Sequence, residues 1–144
     1  MTSRSFIDTN VLVYAEASDE PVKQQTVLAL LKQLYENATS LLPTQVLQQY
    51  CNVALKKLKL AVAHIRAQLD LYEQFEIVQI TPALIRAGLD LHQTRSVSFY
   101  DAIVLASAET AGCSELFSED FNTGETVGGV RIINPFAQPA AQAP

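Results

Sequence analysis

A chain of 144 residues is the size of one domain, and 49% hydrophobic residues with 17% charged exclude a disordered polymer. Ten Lys and Arg against fifteen Asp and Glu leave a net charge of −5. Such a surface does not gather nucleic acid non-specifically, so any RNA or DNA contact needs a local patch or metal ions. The longest apolar runs fall well short of the roughly 18 residues that a membrane span needs.

The N-terminal residues lead straight into an apolar run without a signal-peptide pattern, so a cytoplasmic location is expected. Ser5 to Asp8 reads as a buried strand, followed by a short helix from about Asn10 to Glu16. Asp19 and Pro21 open a second helix with Val27, Leu31 and Leu34 on one face. A strand at residues 40–43 precedes a helix from Thr44 to about Leu58. Val62, Ile65, Leu69 and Tyr72 then mark one face of the next. A strand at residues 77–80 stops at Thr81-Pro82, an N-cap and the proline favoured after it, and Ile85, Leu89 and His92 mark one face of the helix they open. Residues 99–111 are apolar nearly all round, which predicts a helix covered on more than one side. Strands at residues 116–118 and 130–133 complete the pattern. Residues 137–144 hold nothing large to bury and are expected to be a disordered tail, leaving residues 1–136 as one domain.

Strands separated by helices rather than tight turns imply right-handed crossovers and a mainly parallel sheet with helices on both faces. Ligands of such sheets sit beyond the carboxyl ends of the strands. Asp8 follows the first strand, Glu119-Asp120 follow a later one, and Asp101 lies in the first turn of the apolar helix. Convergence of these carboxylates, with only Arg4 and Arg95 near them in sequence, would call for a divalent cation. A carboxylate-rich oxygen site suits Mg²⁺ or Mn²⁺. Each aspartate also has a plain structural role open to it. Asp8 can cap the helix that follows, Asp101 completes a Ser98-x-x-Asp101 cap, and Asp120 can sit in a turn before Asn122-Thr123-Gly124. Cys51 and Cys113 read as reduced, buried thiols, and His64 and His92 lack the spacing of a metal pair.

Three segments carry a resemblance to a known family. Phe6-Ile7-Asp8-Thr9-Asn10-Val11-Leu12-Val13-Tyr14 resembles the opening motif of PIN domains. Ser98-Phe99-Tyr100-Asp101-Ala102, followed by Gly112-Cys113 and Leu116-x-Ser118-Glu119-Asp120-Phe121, resembles their second half. The stretch Gly129-x-Arg131-Ile132-Ile133-Asn134-Pro135-Phe136 is similar to the end of VapC-type toxins in that family. The resemblance implies a three-layer α/β/α sandwich around a mainly parallel sheet of about five strands. It also implies a Mg²⁺- or Mn²⁺-dependent endoribonuclease that cleaves RNA of the tRNA or rRNA class. The implied partners are a VapB-type antitoxin and a second copy in a homodimer. Three of the family's four acidic positions carry over to Asp8, Asp101 and Asp120, as catalytic residues and metal ligands.

The other does not. Where family members often have glutamate, Thr44-Gln45-Val46-Leu47-Gln48-Gln49-Tyr50 places the neutral Gln49. An amide oxygen can still accept a hydrogen bond or touch a cation, but it adds no charge and cannot act as a general base. The expectations are therefore a nuclease working with three carboxylates, or a weakened PIN protein that acts by binding antitoxin or RNA. A phosphatase-like metal hydrolase would want two aspartates one residue apart, and Asp8-Thr9-Asn10 supplies one. The lysines at 56, 57 and 59 are either a solvated helix end or an RNA-backbone patch, which Arg95 and Arg131 would extend. An exposed apolar strip along residues 22–36 and 61–74 is where an antitoxin helix would lie.

Overall fold

The computed structural model describes residues 4–37, 40–121 and 124–137. Its elements run β1 (Ser5–Ile7), α1 (Thr9–Tyr14), α2 (Pro21–Asn37), β2 (Ser40–Pro43), α3 (Thr44–Lys56), α4 (Val62–Tyr72), β3 (Glu76–Val78), α5 (Pro82–Thr94), α6 (Phe99–Thr110), β4 (Glu115–Phe117), β5 (Thr126–Val127) and β6 (Val130–Ile133). The strands form one sheet in the order β3-β2-β1-β4-β6-β5, parallel throughout except for β5 against β6. β1 lies at the switch of strand order, with Ser5 paired to Ser40 of β2 on one side and to Glu115 of β4 on the other.

Successive strand residues point to opposite faces, and both faces are covered. Ile7 and Leu42 turn toward α1, α2, α3 and α4, where they pack with Val11, Val27, Leu31, Val46 and Tyr50. Phe6, Leu41, Leu116 and Ile132 turn the other way, onto Val104, Leu105 and Ala108 of α6. The sheet is thus the middle of three layers. Phe6 and Ile7 are fully buried, and each such side chain contributes about 1.5–3 kcal/mol of transfer free energy.

Several details differ from the sequence reading. The sheet has a sixth strand, β5, joined to β6 by Gly128-Gly129, both at positive φ (56° and 84°), as a two-residue hairpin requires. β3 begins one residue earlier and ends at Val78, because its partner β2 ends at Pro43 where α3 starts. On α5 the buried residues are Leu84 and Gly88, whereas Ile85 and Leu89 are 39% and 52% exposed and His92 is exposed as well. Gly88 is what allows that close approach: a Cβ there would lie 2.8 Å from Ile103 Cγ1 of α6. Val62 on α4 is also exposed, leaving Ile65 and Tyr72 as the buried face. The expected tail lies outside the described residues beyond Ala137. No described helix is long and apolar enough to cross a membrane.

Candidate active site

Asp8 is the residue at which β1 gives way to α1. Its backbone N–H continues the sheet by donating to the Phe117 carbonyl at 3.0 Å. Its side chain turns inward and is 4% exposed. One carboxylate oxygen accepts the Thr9 N–H at 2.7 Å, capping α1, and the other accepts the Ser118 hydroxyl at 2.9 Å. Burial pushes this carboxyl up to about 6, against the pull of those two hydrogen bonds, and the charges of Asp120 and Asp101 push the same way as burial.

Asp101 stands in the first turn of α6, whose N-cap Ser98 accepts the Asp101 N–H at 3.2 Å. Its carboxyl is also raised, first by desolvation and then by the neighbouring Asp120, with the Ser98 hydrogen bond opposing. Asp120 follows β4, and its N–H donates to the Ser118 hydroxyl oxygen at 3.1 Å. Carboxylate oxygens of Asp8, Asp101 and Asp120 lie within 4.8 Å of one another. None of the three is in an ion pair among the described residues. At that separation a fully ionised pair repels by about 3 kcal/mol at an effective dielectric of 20, and by less where solvent reaches it. The capping and turn roles foreseen for Asp8 and Asp101 are real, and they hold the two carboxylates in place; residues 122 and 123 of the turn after Asp120 lie outside the described residues.

The acidic group opens onto a groove of about 910 Å³ between α1, α3 and the start of α6. Gln49 lines it, half-buried on α3, with its amide oxygen accepting the Thr9 hydroxyl at 2.7 Å. Glu119, adjacent to Asp120, also lines it, but its carboxylate is engaged elsewhere. It accepts from Tyr14 Oη at 2.9 Å and pairs with Lys23 Nζ at 3.0 Å, while Lys23 rests over the Tyr14 and Phe136 rings. Of the three lysines near the end of α3, Lys57 alone lines the groove. Arg95 is paired with Glu125 at 2.8 Å, and Arg131 is an exposed residue of β6 away from the groove. His64 contacts the Glu16 carboxylate, which also accepts the Tyr50 hydroxyl, and His92 meets the Val97 carbonyl. Cys51 is half-buried and Cys113 buried, both free.

The residues that position the cluster were not singled out from sequence. Ser118 ties Asp8 to Asp120, Thr9 holds Gln49, and Asn10 accepts the Glu119 N–H at 3.3 Å. Their only signal was adjacency to the acidic residues. The donor set, all hard oxygens with a buried carboxyl held well above its usual range and no cationic side chain paired to it among the described residues, fits a divalent cation.

The PIN domain family model matches residues 5–126. This chain therefore belongs to the PIN domain family, whose members are generally nucleases that use divalent metals. Solved structures similar to it in fold include toxin–antitoxin proteins, two of them named VapC or VapBC. A toxin–antitoxin complex from Klebsiella pneumoniae superposes with TM-score 0.67 at 20% identity, over 92% of this chain and 98% of the other. VapC20 of Mycobacterium tuberculosis, described as a toxin that cleaves the sarcin-ricin loop, gives TM-score 0.62 at 20% identity over 81% and 91%. VapBC2 from Rickettsia felis, bound to a DNA fragment from its promoter, gives 0.63 at 16% identity over 89% and 96%. No curated protein sequence matches this one significantly.

Proposed function

We propose that this protein is the endoribonuclease toxin of a VapBC-type pair, acting in the cytoplasm on RNA of the tRNA or rRNA class. The observation that carries the reading is the meeting of three carboxylates from residues 8, 101 and 120 without a cationic partner among the described residues. Asp8, Asp101 and Asp120 would hold Mg²⁺ or Mn²⁺, both of which accept such ligands. A divalent ion bound there supplies a more acidic water and neutralises charge developing at phosphorus. The chain's own residues do the positioning. Thr9 N–H and the Ser118 hydroxyl fix the Asp8 carboxylate in one rotamer, and Ser118 simultaneously anchors the turn that carries Asp120. Burial of Asp8 keeps water away from one side of the cluster, which strengthens every electrostatic contact inside it.

Exposed apolar side chains on α2 (Val22, Leu28) and α4 (Val62, Leu71) support a VapB-type antitoxin as partner, and the toxin–antitoxin character of the structural neighbours supports it too. A homodimer belongs to the same reading. A second reading, a PIN protein that binds without cutting, is favoured by one observation. Gln49 brings no charge to the groove, and its oxygen is already engaged by Thr9.

Cleavage of total tRNA and of a structured rRNA fragment, with Mg²⁺ and with Mn²⁺, separates the two. The chain as it stands is run beside Gln49→Glu, with Asp8→Asn as the control for contaminating nuclease. Cutting by the chain itself, lost in Asp8→Asn, supports the three-carboxylate enzyme. Cutting by Gln49→Glu alone supports the binding protein, and absence of cutting by all three on both RNAs counts against the ribonuclease.

A further inference from the structure

The groove has a neutral wall. Gln45, Gln48, Gln49 and Asn52 of α3 all line it, and their spacing of i, i+3, i+4 and i+7 is that of one helix face. Past the helix end the wall gains a single positive charge among the described residues, at Lys57. Tyr100 lines the same groove beside Asp101 in the chain, and it leaves 59% of its surface exposed.

Two of the amides are committed to the fold. Gln45 donates to the Tyr100 carbonyl at 3.3 Å, and Gln49 accepts from Thr9. Gln48 and Asn52 are exposed and make no hydrogen bond among the described residues. Two further atoms of groove residues are buried with no partner among the described residues: the Asn10 amide nitrogen, a donor, and the Gln45 amide oxygen, an acceptor, on a side chain only 7% exposed. The free amides of Gln48 and Asn52 each carry a donor and an acceptor side by side in the groove, which suits a ligand that offers both.

A nucleobase edge is such a ligand, since donor and acceptor stand side by side on it and a side-chain amide can meet both. A ligand recognised by its phosphates alone would call for more cations than Lys57. A duplex presents its edges poorly, because the major groove of A-form RNA is too narrow for side chains, whereas an unpaired strand offers both its edges and its faces. An exposed aromatic ring takes any base by stacking.

Resting on the ribonuclease reading above, we propose that Gln48, Asn52 and Tyr100 form a base-reading subsite for single-stranded RNA. One unstacked base lies on the Tyr100 ring, neighbouring bases present their edges to Gln48 and Asn52, and Lys57 meets a backbone phosphate. The subsite selects which phosphodiester reaches the carboxylates.

The test incubates the full chain with a random-sequence single-stranded RNA pool in Mg²⁺, sequences the retained and the cut molecules, and measures affinity by fluorescence anisotropy. Thermal melts check that the variants, all at exposed positions, remain folded. The expected result is a base preference that the double variant Gln48→Ala, Asn52→Ala flattens, with affinity reduced about tenfold. Tyr100→Ala weakens binding about tenfold while Tyr100→Phe restores it, because the ring and not the hydroxyl does the stacking. Lys57→Ala weakens all sequences evenly and lowers the salt dependence. Retention of preference and affinity by the double variant overturns the subsite and leaves the ribonuclease reading standing. So does tighter binding of double-stranded RNA than of single strands. If neither the chain nor Gln49→Glu retains or cuts any RNA, the ribonuclease reading falls and the subsite falls with it.

Discussion

Asp8→Asn isolates the cost of keeping a carboxylate buried beside two others. In the metal-free protein the carboxyl titrates at about 6, against an ordinary value of 3.8 in an unfolded chain. That difference corresponds to about 3 kcal/mol of destabilisation once Asp8 is ionised in both states, and its 4% exposure leaves little room for solvent to reduce it. Asparagine keeps an oxygen for the Thr9 N–H. Its amide nitrogen faces the Ser118 hydroxyl oxygen, which already accepts the Asp120 N–H, so the Ser118 proton loses its acceptor at a cost of about 1 kcal/mol. The net gain at pH 7 in chelator is about 2 kcal/mol, or about 5 °C in melting temperature for a domain of this size. Between pH about 4 and 6 the folded chain holds a proton on Asp8 that the unfolded chain has released. The unsubstituted protein therefore loses stability as pH rises through that window, and the gap to the variant closes on acidification. Excess divalent ion reverses the order at neutral pH, because it stabilises the parent by about 2.7 kcal/mol at a hundred times its Kd and leaves the variant nearly unmoved. Differential scanning fluorimetry from pH 4 to 7, with chelator and with Mn²⁺, reads all of this. A variant melting at or below the parent in chelator at pH 7, or a gap that does not change with pH, refutes the reasoning.

Gln49→Glu adds a negative charge to the groove, so in chelator it lowers the melting temperature, and it enlarges the rise produced by Mn²⁺; equal metal responses in the two proteins would show that position 49 does not sense the ion. Ser118→Ala removes the hydroxyl that favours ionised Asp8, and divalent affinity measured by calorimetry should drop about tenfold or more. Gly88→Ala drives a methyl to 2.8 Å from Ile103 and should cost about 1–3 kcal/mol in urea unfolding, where a neutral outcome would mean that α5 and α6 separate freely. Tyr72→Phe removes a buried hydroxyl that has no partner among the described residues, and should raise stability by about 1 kcal/mol; a loss of that size would point to a buried water on the hydroxyl.

What sequence could reveal followed from what local chemistry determines. Asp8 was legible because an apolar run ending in an acid before a helix has few other readings, and Ser98-x-x-Asp101 announced a helix start whatever its neighbours. The face of α5 was not legible. Ile85-Leu89-His92 and Leu84-Gly88-Leu91 have the same spacing, and only the approach of Ile103 to Gly88 decides which one is buried. The hairpin at β5 leaves a weak trace: Gly128-Gly129 between Val127 and Val130 is a turn signature, but a two-residue strand has no periodicity to mark it. Ser118 and Thr9 were out of reach for another reason. A hydroxyl gains its role from a partner 110 or 40 residues away in the chain, and a single sequence has no record of such distances.

The position of β1 between β2 and β4 has a consequence for the order of events during synthesis. Asp8 and the groove wall of α3 leave the ribosome early, but the strand that completes β1 is made only with residues 115–117, and the last carboxylate arrives three residues later. Chain growth from the N-terminus therefore completes the cluster only once residue 120 has been made, more than a hundred residues after Asp8. A truncated product ending anywhere before Asp120 lacks part of the acidic site. Pairing of Ile7 with Phe117 closes a loop of more than a hundred residues, and such long-range contacts form slowly. On the ribonuclease reading, synthesis and arming are thus separate events, with the slow closure of that loop setting a delay between the making of Asp120 and a working site.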